Sequence, residues 1–75
     1  MSKHNREAKN EIFVQLLNEY FIFHKGTYRK FTGSHYRVYT LNSTVDFFLS
    51  GMRYHNIKTG VRGNLAALDK FDSLL

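Results

Sequence analysis

The sequence predicts a small α+β domain from three observations. A stretch with helical apolar periodicity opens the chain, a tyrosine- and cation-rich ribbon around a glycine-led turn follows, and a second helical pattern closes it. The expected order is α-β-β-α-β-α, an antiparallel hairpin and sheet packed against N- and C-terminal helices. With no proline, low-complexity run or internal repeat, residues 1–75 read as a single domain, of which residues 1–4 are expected to be disordered.

The first helix runs from about Asn5 to His24. On a helical projection Phe23, Leu16, Tyr20, Phe13, Leu17, Phe21 and Val14 spread over roughly 200° around Ile12. A helix laid on one sheet face needs an apolar stripe only a little over 100° wide. The surplus needs a cover. A second helix would supply it, and so would a second copy of the chain, meeting this one at a homodimer seam through Phe13, Leu17 and Phe21.

Gly26 is a natural helix stop, and the ribbon Thr27–Leu41 follows. Gly33-Ser34 suits a tight two-residue type II′ turn. That turn sets Thr32 opposite His35, Lys30 opposite Arg37 and Tyr28 opposite Tyr39, a cationic, aromatic face backed by Phe31, Tyr36 and Val38. A three-residue loop would instead move Arg37 and Tyr39 onto the face of Arg29 and Phe31. Ser43-Thr44-Val45-Asp46 resembles a helix start, with Val45, Phe48, Leu49 and Met52 at helical spacing and Gly51 as terminator. Residues 52–57 read as a third strand and KTGVRG, 58–63, as a loop. Asn64 then caps a last helix, with Ala67, Leu68, Phe71, Leu74 and Leu75 on one side.

A chain this short buries only about 60–65% of its unfolded surface, so its core is thin. There is no cysteine to staple it, which fits a reducing, cytoplasmic setting. The opening MSKHNREAKN lacks the apolar core of a secretory signal, and the longest apolar run is too short and too polar to cross a bilayer, so no membrane association is expected. The four histidines have no zinc-ligand spacing, and no metal or cofactor is expected.

The net charge of +5 is unevenly spread. Residues 25–62 carry Lys25, Arg29, Lys30, Arg37, Arg53, Lys58 and Arg62 against Asp46 alone. Such a segment attracts anions. Phosphate-neutralising cations beside rings that can stack on bases point to a nucleic-acid-binding domain of weak sequence preference, using Tyr28, Arg29, Lys30, Arg37, Tyr39, Arg53, Lys58 and Arg62. KTGVRG adds glycines that let backbone amides approach an anion, but it lacks the spacing of a nucleotide P-loop. The ribonucleoprotein signatures of an RNA recognition motif, a helix-turn-helix and zinc-finger spacing are all missing. Tyr and Arg are also enriched at protein interfaces, so the alternative is a non-enzymatic inhibitor or adaptor docking on an acidic protein surface. Enzyme activity is not expected: cleavage of RNA by His35 with Arg37 would need a second acid–base group, and nothing in the sequence places one beside them.

Overall fold

The computed structural model describes residues 2–75, with side chains from Ala8 onward. Helix α1, Ser2–Phe23, leads into strands β1 (Gly26–Lys30), β2 (His35–Thr40), β3 (Thr44–Phe48), β4 (Arg53–Asn56) and β5 (Arg62–Asn64), and the chain closes with a 3₁₀ helix, Leu68–Leu74. The domain is α+β as expected, with the order α-β-β-β-β-β and a final 3₁₀ helix. The strands form one antiparallel meander in the order β1-β2-β3-β4-β5. Of residues 1–4, expected to be disordered, residues 2–4 lie in α1, and residue 1 lies outside the described residues.

Both helices cover the same face of the sheet. Phe13 and Leu17 are wholly buried there with Tyr36, Val38, Val45, Phe47 and Leu49, and Leu65 and Phe71 complete the core. Phe13 sits at its centre, its ring centroid 5.4 Å from Tyr36, 5.3 Å from Phe47 and 5.5 Å from Phe71. Tyr20 meets Phe71 at 5.6 Å, so the 3₁₀ helix takes up part of the surplus apolar arc of α1. This corrects the dimer seam expected through Phe13 and Leu17, because both side chains are consumed inside the monomer, while Phe21 is only half-buried. Among the described residues, no helix is long and apolar enough to cross a membrane.

The helix expected after Ser43 is strand β3. Val45, Phe47 and Leu49 enter the core at every second position while Asp46 and Phe48 face the other way, a period of two that only a strand provides. The residues resembling a helix cap serve the β2–β3 turn instead. Thr40 Oγ1 accepts from the Ser43 amide at 3.0 Å, and Ser43 Oγ donates to the Leu75 carbonyl at 3.0 Å, fastening the C-terminus to the turn. The third strand expected at 52–57 is present as β4. Part of the expected KTGVRG loop is β5, and Asn64 ends that strand rather than capping a helix, since the last helix begins four residues later.

Candidate nucleic-acid interface

The β1–β2 hairpin sets the composition of both sheet faces. Its partners are Thr27 with Tyr39, Tyr28 with Val38, Arg29 with Arg37 and Lys30 with Tyr36. The Phe31 amide donates to the His35 carbonyl at 2.9 Å, closing a three-residue loop, Thr32–Ser34, with Gly33 at a φ of 50°. The two-residue turn is therefore corrected by one position, and every side chain of one strand changes face relative to the other. Tyr28 and Lys30 lie on the helix-covered side, at the sheet edge, where the Lys30 ammonium stands 5.9 Å from the Tyr36 ring. Arg37 and Tyr39 join Arg29 and Phe31 on the opposite side.

Among the described residues, no element covers that opposite side. Following the register across the five strands gives one continuous row, Arg29, Arg37, Asp46, His55 and Arg62. A second row holds His35, Phe48, Arg53 and Asn64, with Phe31 beside His35. A third holds Thr27, Tyr39 and Thr44. Arg29, Arg53 and Arg62 are exposed, and Phe31 keeps 41% of its surface in solvent. Lys58 stands apart on the β4–β5 connection, its ammonium 3.4 Å from the Asn42 carbonyl.

Among the described residues, Asp46 is the one acid on this face, and it is only 3% exposed. Arg37 grips it with both ends of its fork, Nε to Oδ1 at 2.6 Å and Nη2 to Oδ2 at 3.0 Å. Burial pushes the Asp46 carboxyl up, but the hydrogen bonds and charges of Arg37 and His35 together outweigh it and hold the group below the usual carboxylate range. The hydrogen bond to Asp46 raises the Arg37 guanidinium above its ordinary value. Arg37 is thus matched internally. Among the described residues, Asp46 is the acid in every ion pair, so Arg29, Arg53 and Arg62 carry uncompensated charge.

Aromatic rings interleave with the cations. His35 stacks on Phe48 at 4.4 Å and 25°, and Phe31 lies 5.0 Å from His35. The Arg37 guanidinium stands 5.0 Å from the Phe31 ring centroid and that of Arg29 6.0 Å. Two open recesses flank Phe48. One, of about 720 Å³, runs over β4 and β5 between Phe48, Arg53, His55, Arg62 and Asn64. The other, of about 400 Å³, lies between Thr32, His35, Phe48 and Ser50.

Of the eight residues the sequence singles out, Arg29, Arg37, Tyr39, Arg53 and Arg62 share the open face, Tyr28 and Lys30 turn away from it, and Lys58 lies on a loop. The sequence already sets His35 on one face with Arg37 and Tyr39, and the three-residue alternative, which the structure adopts, adds Arg29 and Phe31; Phe48 and His55 are the members it does not supply. Their period-two spacing within each strand was visible, but only the register joins them. Comparison with protein families, with curated proteins and with solved structures returned no match.

Proposed function

We propose that the uncovered sheet face binds nucleic acid, favouring unpaired strands and reading sequence weakly. Arg29, Arg53 and Arg62 neutralise phosphates, and Phe31, Phe48 and Tyr39 offer ring surface to bases. One observation carries the reading: the face without a covering layer gathers these cations and rings, and the single carboxylate it holds among the described residues is already neutralised by Arg37. A solvated face with no partner would have no need of Phe31 and Phe48 among its arginines. A face built for an acidic protein surface would more often pair such rings with a continuous apolar centre.

Fluorescence anisotropy with labelled single- and double-stranded oligonucleotides over a salt series tests this. Three to five phosphate contacts on a single strand give a log–log salt slope of about −2 to −3.5. Arg53→Glu/Arg62→Glu should weaken binding at least about tenfold and flatten the slope by one to two units. Flat titrations with both kinds of strand would discard the reading and move attention to an acidic protein surface.

A further inference from the structure

We infer that the open face is also a metal-independent RNA-cleaving centre, with His35 and His55 as its acid–base pair and Asp46 as the residue that positions His35. The inference rests on the nucleic-acid reading above and names its substrate as RNA. The sequence alone offers His35 no second acid–base group. The register supplies one, because His55 is the direct cross-strand partner of Asp46, and Asp46 also receives His35.

An in-line displacement needs a base and an acid on opposite sides of the phosphorus. His35 stands on β2 and His55 on β4, on either side of β3. Two strand spacings and one row offset put their Cα atoms about 12 Å apart. From that span His35 leans inward, its Nε2 reaching to 3.3 Å from Asp46 Oδ2. That nitrogen is buried and sits off the line of a good hydrogen bond, an incompletely satisfied polar atom of the kind found at working sites. With Nε2 buried beside the carboxylate, Nδ1 is the nitrogen left to exchange a proton with a ligand. Phe48 is the common wall of the His35 and His55 recesses, so a strand crossing that ring seats one nucleotide on each side with a phosphate between.

The step balances without a co-reactant. One imidazole, as base, takes the proton of a ribose 2′-hydroxyl, whose oxygen forms a new bond to the adjacent phosphorus. The P–O5′ bond breaks, its electron pair stays on O5′, and the other imidazole, as acid, delivers a proton there. The products are a 2′,3′-cyclic phosphate and a 5′-hydroxyl, and solvent restores the two protonation states. Arg62 beside His55 and Arg53 on the same strand face the negative charge that grows on the phosphoryl oxygens. The charged groups around the pair are Asp46 and Arg37 at His35, and Asp46, Arg53 and Arg62 at His55.

The test uses the full chain, in excess EDTA, on a short DNA strand containing one ribonucleotide. Cleavage should occur only at the ribonucleotide, and mass spectrometry should find the cyclic phosphate and the 5′-hydroxyl. His35→Gln and His55→Gln should each slow it at least about 100-fold, and the wild-type rate should rise and then fall with pH. Both variants should keep the wild-type far-ultraviolet circular dichroism and a cooperative thermal transition, showing that they fold. Binding by the wild type without cleavage, or cleavage at the wild-type rate in either variant, overturns the inference and leaves the binding reading standing. Absence of binding to that strand removes both.

Discussion

At Asp46 burial and pairing pull in opposite directions, and pairing prevails. A carboxyl whose folded-state pKa is lowered contributes stability above its unfolded value of about 3.9, and loses it as pH falls through the folded value. The urea midpoint of the wild type should therefore fall between about pH 5 and pH 3. Asp46→Asn turns an amide donor toward the Arg37 fork and should cost about 2–3 kcal/mol at neutral pH, because a charged hydrogen-bonded pair is lost in a largely buried place. Its remaining stability should change less across the same acid range. Equal acid sensitivity in both proteins would mean that the pair is not what acid breaks. Freed from its partner, Arg37 should also bind phosphate, steepening the salt slope of the variant by about 0.7. A variant less stable yet more avid is hard to obtain by damage alone.

Strand β3 marks where local pattern and tertiary structure part. Its Ser-Thr-Val-Asp opening and the spacing of Val45, Phe48, Leu49 and Met52 fit a helix as well as a strand over so short a run. Burial decides, since Val45, Phe47 and Leu49 all reach the core and Phe48 does not. The N-terminal helix was legible because its periodicity repeats over many turns. The hairpin was legible as a hairpin, but its register depended on whether the loop held two residues or three, and that single residue moved Tyr28 and Lys30 off the face of Arg37. Arg62 and Gly63 read as loop and Asn64 as a helix cap, because so short a run has little strand propensity. Gly63 is there for space: a Cβ on it would stand 2.7 Å from the Tyr54 hydroxyl oxygen and 2.8 Å from its ring. Gly63→Ala should thus lower stability by about 1–3 kcal/mol by displacing Tyr54, a ring packed against the core. Thermal unfolding measures this, and an unchanged midpoint would show that Tyr54 swings away at no cost.

Over the whole molecule the two sheet faces divide the work. One joins α1 and the 3₁₀ helix into the core, and the other gathers charge that the core cannot hold. The site was half legible in the sequence: the excess of cations was plain, but which of them share a face depended on register, and so did the placing of Asp46 between Arg37 and His55 across the ladder. Arg29 and Lys30 make this testable because they are chain neighbours on opposite faces. Arg29→Glu and Lys30→Glu each remove two units from the net charge of +5, so long-range attraction of a polyanion falls equally in both. At physiological salt charges act over about 8 Å, and a side chain on the helix side of the sheet lies beyond that reach of a ligand on the open side. Anisotropy on one single-stranded oligonucleotide should show Arg29→Glu weakening binding about three- to tenfold more than Lys30→Glu. Equal losses would mean that net charge alone drives association, or that the strand wraps the β1 edge, and the open face would then lose its claim to be the binding surface.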